Sequence, residues 1–247
     1  IAVVTDGAEV AARVAGPASI TATGAVLVSA TQPGRNEAIA LVNSIQVSMA
    51  FSGAVVYAQA TLGSALIAAL DGDVVSSTSV LVTANGQNFA QAKVLLVAGS
   101  LGVGIGVNIL SATITGAADV AATSADANND QLISSSGTVA FSATSGNTAE
   151  VHTDLAGGGV LGGAAVSVPP APVSGATTAS VEGDVTGNAG ASVQATSANR
   201  ATSEVALVAI GGIAGAAVNV SNAGITGAAP TTAQVEAGSV LGAPGGA

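Results

Sequence analysis

Hydrophobic and polar residues alternate along most of this chain, in short runs that end at Gly, Asn, Ser or Pro. Between Gly102 and Val107 large side chains alternate with glycine, a period of two that places the large ones on one face of a sheet. The runs are dominated by Val, Ile and Thr, the residues favoured in strands. Charged pairs four residues apart, which stabilise exposed helices, are nearly absent. The pattern predicts an all-β fold.

One strand-like phrase occurs four times, about once every fifty residues. It is marked by Ala30, Ala84, Ala143 and Ala195, which are 54, 59 and 52 residues apart. A period of this size is typical of repeat architectures. We expect one repeat array with copies at approximately 1–24 (partial), 25–78, 79–137, 138–190 and 191–247, forming a segment of a longer chain.

Each copy continues in the same order after its marker alanine. A polar segment, at 32–36, 85–88, 145–147 and 197–200, predicts a turn because Gly, Asn and Pro adopt turn dihedral angles readily. An apolar run and a glycine-rich run follow, and we expect three to five short strands per copy. The glycine runs lack the Gly-Lys-Ser/Thr of a phosphate-binding loop. They are better explained by close backbone approach or tight corners.

Two all-β architectures fit this repeat. The favoured one is a β-solenoid, in which each strand pairs with its counterpart in the next copy, so that like residues lie roughly 4.8 Å apart. Fifty residues make about 165 Å of extended chain. That is long for one coil, and either two turns per copy or a flattened hairpin would accommodate it. The alternative is an antiparallel β-sandwich or an array of small antiparallel units.

Composition restricts the partners of this chain. Its hydrophobic share of 49% is mostly Ala and Val, only 2% is aromatic, and the net charge of −10 includes only four basic residues. Few aromatic residues indicate thin, closely approaching layers. Nucleic acids and anionic membrane surfaces are disfavoured, because both require clustered Lys and Arg. Without cysteine there are no disulfides and no thiolate chemistry.

Two long segments, 38–70 and 94–118, carry no formal charge. About twenty apolar residues can cross a bilayer as a helix. Here the apolar residues are interspersed with Gly, Ser, Thr and Asn, and no Trp/Tyr belts or Lys/Arg flanks frame them. We therefore expect no membrane span.

The cycle of Val-Asn-Val, a Thr/Ala-rich strand, Val-x-Gly-x-Val and a Val-Ala-Gly-Gly-like stretch is clearest in residues 205–220, 181–185 and 191–196. It resembles repeats of large secreted bacterial filamentous adhesins, of the leukotoxin and filamentous-haemagglutinin types. The resemblance implies a β-solenoid shaft at the cell surface. Two stretches depart from it, the proline run at 169–172 and a segment at 122–136 that looks like an insertion. Loops at both places would have to bulge from such a shaft.

His152, the only histidine, lies between Glu150 and Asp154 in a strand of alternating faces. A histidine between two acids could act as a general base, but no partner nucleophile is indicated. Aligned by the apolar runs, its counterparts are Leu41 or Val42, Val94 and Ala206. An outward polar side chain in one copy is the favoured explanation.

Asp126, Asn128 and Asp130 place oxygen atoms at alternate positions, as calcium loops do. They are a calcium candidate, although an EF-hand loop would have glycine and glutamate where Gln131 and Gly137 stand. A solvated loop is therefore favoured. Two acid pairs, Asp71/Asp73 and Glu182/Asp184, recur at one phase of the repeat. That phase predicts an exposed turn, with weak cation binding as the minor alternative.

The sequence therefore predicts an extracellular structural or adhesive fibre or stalk segment without catalysis or cofactor. Its expected partners are copies of itself or adjoining repeats, end to end, and a host or cell-surface ligand. An alternative is a subunit of a polymeric surface filament assembled by strand or edge complementation. A more distant alternative is a carbohydrate-active β-solenoid enzyme, which would need a cluster of carboxylates on one face.

Overall fold

The computed structural model describes residues 1–125 and 131–242, and in these residues the regular structure is strand, with no helix. In chain order the strands are β1 (Ala2–Asp6), β2 (Glu9–Val14), β3 (Ser19–Thr21), β4 (Ala25–Ser48), β5 (Phe51–Leu62), β6 (Ala65–Leu70), β7 (Asp73–Ser76), β8 (Ser79–Ser100), β9 (Val103–Ile114), β10 (Val120–Thr123), β11 (Leu132–Ser135), β12 (Thr138–Gly159), β13 (Gly162–Val168), β14 (Pro170–Val173), β15 (Thr177–Val181), β16 (Asp184–Gly187), β17 (Gly190–Ser197), β18 (Arg200–Gly211), β19 (Ala214–Asn219), β20 (Asn222–Ile225), β21 (Thr231–Val235) and β22 (Val240–Gly242). The prediction of an all-β fold is confirmed.

The strands form four sheets. The long sheet contains β4, β8, β12, β17 and β18; the return sheet contains β1, β5, β9, β13, β14, β19 and β20; the short sheet contains β2, β6, β10, β15 and β21; and the closing sheet contains β3, β7, β11, β16 and β22. Every strand pair among the described residues is parallel. The antiparallel alternative is therefore wrong. About fifty residues separate paired strands, and parallel pairing needs such a long connection.

The marker alanines of the repeat lie side by side in the long sheet. Ala84 pairs with Ala30 on one side and with Ala143 on the other, and Ala143 pairs with Ala195. The first three of these alanines are buried. Like residues therefore stack on like at the positions that define the repeat in the sequence.

Two apolar clusters lie between the long sheet and the other three sheets. In the first, the second half of the long strands, including Leu96, packs with return-sheet residues such as Leu110. In the second, the first half of the long strands, including Phe141, packs with short-sheet and closing-sheet residues such as Leu66 and Val185. Alanine recurs throughout both clusters, so the layers pack closely without a bulky aromatic core.

The predicted polar turns are wrong in three of the four copies. β4, β8 and β12 run through 32–36, 85–88 and 145–147 without ending, and only at 198–199 does the chain leave the strand. Asn36, Asn88 and Asn147 are register partners there. Asn88 and Asn147 are fully buried, and Asn88 Nδ2 donates a hydrogen bond to Asn147 Oδ1 at 2.9 Å. Their side chains bond along the stack, which satisfies part of their polar groups inside a strand.

We expect Asn147→Ala to lower the free energy of unfolding by about 1–3 kcal/mol, because it leaves the buried Asn88 amide without its partner. The measurement is a urea titration followed by far-UV circular dichroism. Asn43→Ala is the matched control, since Asn43 is exposed on the same sheet. Equal losses in the two variants would contradict a stabilising role for the buried asparagines.

The proline run does not bulge from the fold as a loop, so that expectation is wrong. Pro170–Val173 forms β14, which pairs in register with Asn222–Ile225, and Ala171 is fully buried. On its other side β14 pairs with β9 only at Val173 and Ile114. Proline has no amide hydrogen to donate, which explains why this ladder is short on one side only.

The predicted insertion is narrower than 122–136. Leu66 pairs with Val120 and Ala69 with Thr123, so the short sheet is still regular at the start of that segment. Val74 pairs with Ile133, where the closing sheet resumes. The extra residues therefore lie between Thr123 and Leu132, and the flanks of the predicted insertion are strands.

The glycine-rich runs face inward where the return sheet leaves the long sheet. A Cβ atom on Gly104 would lie 2.0 Å from the carbonyl oxygen of Gly158, and one on Gly163 would lie 2.4 Å from that of Ile210. Close backbone approach, the predicted reason for these glycines, is confirmed. The large side chains that alternate with them consequently face outward, and Val103 is exposed.

Candidate functional site

A charged patch lies on the outward face of the long sheet, at the middle of its strands. Lys93, His152 and Glu204 are register partners there, on β8, β12 and β18. The predicted counterparts Val94 and Ala206 are therefore wrong. Each of these three residues lies nine positions after its marker alanine. Alignment by apolar runs shifted the register by one or two residues, and a shift of one moves a side chain to the other face.

His152 is bridged by two carboxylates in this patch. Its Nε2 lies 3.1 Å from Asp154 Oδ2 and its Nδ1 lies 3.3 Å from Glu204 Oε2. The imidazole is 35% exposed, which confirms the predicted outward polar side chain. These exposed contacts are ion pairs only when the imidazole is protonated, and exposed ion pairs contribute little stability. Both ring nitrogens face carboxylates, so no nucleophile is positioned beside this histidine among the described residues.

The patch borders a shallow cleft of about 210 Å³. Its walls include Arg200 and Glu150, and Glu150 Oε2 accepts a hydrogen bond from Gln91 Nε2 at 3.3 Å. Basic and acidic groups alternate around the cleft. Counting positions from the marker alanines in the sequence would have predicted that Lys93, His152 and Glu204 are neighbours.

The acid pair Asp71/Asp73 binds the backbone of the next copy. Asp71 Oδ1 accepts a hydrogen bond from the Ala125 amide at 3.1 Å, and Asp73 Oδ1 accepts one from the Leu132 amide at 2.9 Å. These carboxylates hold the two ends of the extra segment between β10 and β11. The pair lies at the connection between β6 and β7, as predicted for a turn, but both side chains are half-buried, so the predicted exposure is wrong for this pair. Because both carboxylates bind backbone amides, this pair gives no support to the carbohydrate-active alternative.

The second acid pair lies at the same phase of a later copy. Glu182 is half-buried, and its amide donates to Ser124 Oγ at 2.9 Å. Asp184 is exposed, as predicted, and lies beside Leu132 in the closing sheet. Asp73 and Asp184 therefore lie on either side of the same strand, β11, and belong to copies that are two apart. The two acid pairs recur at the same phase of the repeat because they occupy equivalent positions in the closing sheet.

The calcium candidates Asp126, Asn128 and Asp130 lie outside the described residues. In 1–125 and 131–242, no group of three His, Asp or Glu side chains is placed to hold a metal ion.

A second candidate surface lies where the long strands end and turn into the return sheet. We call it the apolar face and define it by six exposed side chains: Val47, Met49, Leu101, Val160, Ile210 and Ile213. They belong to four successive copies at neighbouring register positions. Met49 and Ile213, at its two ends, are 82% and 79% exposed. The apolar face therefore runs across the whole stack of strands.

A groove of about 500 Å³ opens in the centre of the apolar face. Its lining includes Gly99 and Gly158, which pair in register on the outward side of the long sheet. Val47 pairs with Gly99, and Ile210 pairs with Gly158. The groove forms because two glycines, which have no side chain, lie between two large side chains.

Comparison with protein-family models, curated proteins and solved structures found no match. In the part of the chain that the structure describes, no helix has the length and apolar character needed to cross a bilayer. The assignment of function therefore depends on the chain's own geometry.

Proposed function

We propose that this chain is a β-solenoid in which each copy makes one flattened coil. The observation that carries the proposal is the common register of the four sheets, in which strands pair in parallel with the strand one copy later. The long strands begin at Ala25, Ser79, Thr138 and Gly190, which supports the copy boundaries inferred from the sequence. One long strand and the shorter strands that return behind it would account for the length of each copy.

We further propose that this solenoid is an extracellular structural or adhesive fibre or stalk segment. Its role would be mechanical, because backbone ladders between successive copies carry load along the stack. The side chains reinforce this arrangement: Asn88, Asp71 and Asp73 all bond to the following copy. The resemblance to filamentous adhesin repeats supports a cell-surface location, with a host or cell-surface ligand as partner.

A second candidate is a subunit that polymerises into a surface filament. The observation that favours it is the open edge at each end of the sheets. β4 ends the long sheet on one side and β17 and β18 end it on the other, with no further strand among the described residues. Unpaired edges are templates for another strand. A strand of an adjoining repeat or of another copy of the chain could pair with these edges equally well.

Removal of one whole copy, residues 138–189, tests the solenoid. We expect the shortened chain to keep its β-type circular dichroism and to unfold cooperatively, because residues on both sides of the deletion are already in matching register. Its urea m-value should fall by roughly a fifth, in proportion to the surface lost. Removal of 138–163, about half a copy, is the control and should abolish cooperative unfolding. Similar behaviour of the two deletions would overturn the solenoid.

A further inference from the structure

We propose that the apolar face binds a second copy of this chain, side by side, to form a laterally paired rod. This pairing is distinct from end-to-end stacking. It uses the outward corner between the long and return sheets and leaves the strand edges untouched. The proposal therefore concerns a surface to which neither the fibre nor the filament hypothesis assigns a role.

The apolar face is large for an exposed surface. Its six side chains are between 57% and 82% exposed, and large contiguous apolar patches on a protein surface mark interaction sites. The neighbouring Ile45 and Phe51 are also largely exposed, at 70% and 60%. A standard interface buries about 800 Å² of each partner, and these eight exposed side chains provide an apolar centre for one.

Charge is distributed unevenly along the chain and is absent from the apolar face. Residues 38–70, 94–118, 155–181 and 205–235 carry no formal charge, although the chain as a whole has a net charge of −10. These segments form the end of the long strands, the corner and nearly all of the return sheet. Two acidic molecules can meet at this corner because their carboxylates lie elsewhere. A bilayer with anionic headgroups would find no Lys or Arg here.

The shape of the apolar face is self-complementary. A twofold-symmetric interface needs protruding groups and depressions on the same surface. The apolar face has both, because Leu101 and Val160 are exposed beside the groove that Gly99 and Gly158 leave open. An aliphatic side chain of one copy can enter the groove of the other, and the reverse contact follows by symmetry.

Leu101→Lys tests the pairing by sedimentation velocity over a range of protein concentrations. We expect the native chain to form dimers and the variant to dissociate about 100-fold more readily, since a lysine would have to be desolvated at the centre of the interface. Leu27→Lys is the matched control, because Leu27 is 63% exposed near the start of the long sheet, far from the apolar face. Circular dichroism checks that both variants fold.

Cysteine cross-linking separates lateral pairing from end-to-end stacking, and the chain has no cysteine of its own. In an end-to-end stack, equivalent residues of neighbouring molecules would be about 20 Å apart, from four copies at roughly 4.8 Å each. A disulfide needs Cα atoms roughly 4.4–6.8 Å apart. We expect Leu101→Cys or Val160→Cys to yield a disulfide-linked dimer on oxidation, and Leu27→Cys to yield no disulfide-linked species.

Three results would overturn lateral pairing. One is a monomer at every concentration, and another is equal association of the native chain and Leu101→Lys. The third is binding of the native chain to phosphatidylcholine vesicles that Leu101→Lys abolishes, which would assign the apolar face to a lipid surface. None of these results affects the whole-copy deletion, so the solenoid and the lateral pairing are tested separately.

Discussion

We expect Phe141→Ala to lower the free energy of unfolding by about 3–5 kcal/mol, as truncation of a buried phenylalanine does in other cores. Phe141 heads the fully buried side chains by size. It lies in the cluster between the long sheet and the short and closing sheets. Since domains are stable by only about 5–15 kcal/mol, the change removes a large share of the total.

The neighbours of Phe141 explain why the cavity would persist. Its register partners on the two adjacent strands are Val82 and Val193, and β-branched side chains have little rotational freedom to move into the space. Phe141→Val should cost less than the alanine variant, because it restores the residue found in both neighbouring copies.

Urea unfolding measured by circular dichroism gives the two free energies. Leu27→Ala is the control, because Leu27 faces outward from the same sheet and is 63% exposed. It should change stability by no more than about 0.5 kcal/mol. A loss for Phe141→Ala as small as that of the control would show that the second cluster does not act as a packed core.

The repeat was the most informative feature of the sequence. Counting from Ala84, Ala143 and Ala195 predicts the register of β8, β12, β17 and β18, because stacked copies must place like residues side by side. Counting from Ala30 holds only as far as Thr31, since the register between β4 and β8 shifts before Arg35. The parallel pairing, by contrast, followed only from the solenoid hypothesis. Short-range patterns could not decide between it and an antiparallel unit, since alternation has the same period in both.

The sequence did not reveal which face of each strand is inside. Between Gly102 and Val107 it separates large residues from glycines, and hydrophobicity alone would place Val103 and Ile105 in the core. The structure places Gly104 and Gly106 inward, because the return sheet approaches the long sheet too closely there for side chains. The hydrophobic pattern could not have predicted the apolar face either, because it does not show where the long strands end and turn into the return sheet.

The buried asparagines were missed for a related reason. Asn, Gly and Pro are turn residues when considered singly, and 85–88 contains two asparagines and a glycine. Asn88 becomes a strand residue because Asn147 lies beside it in the next copy and accepts its amide hydrogen. That contact is fifty-nine residues away in the sequence. It depends on the stack and not on the local turn preference.

Gly104→Ala is the second change for which we expect a large loss, of about 3 kcal/mol or more, at or above the upper end of what overpacking costs. The added Cβ atom would lie 2.0 Å from the Gly158 carbonyl oxygen and 2.9 Å from that of Ala98. Both obstacles are backbone atoms of long-sheet strands, β12 and β8. Neither can rotate away as a side chain would, so the return sheet has to separate from the long sheet.

Gly146→Ala makes the comparison decisive, because it adds the same methyl group to another strand glycine. The nearest atom to that Cβ would be Gln87 Cγ at 3.5 Å, an ordinary contact. Alanine also restricts the unfolded chain, so this variant should be neutral or gain about 0.4–1 kcal/mol. Thermal and urea unfolding measure the stability of both variants. The two free energies of unfolding should change in opposite directions or differ by several kcal/mol. Equal stabilities would mean that the two layers do not meet as closely at Gly104 as the corner geometry requires.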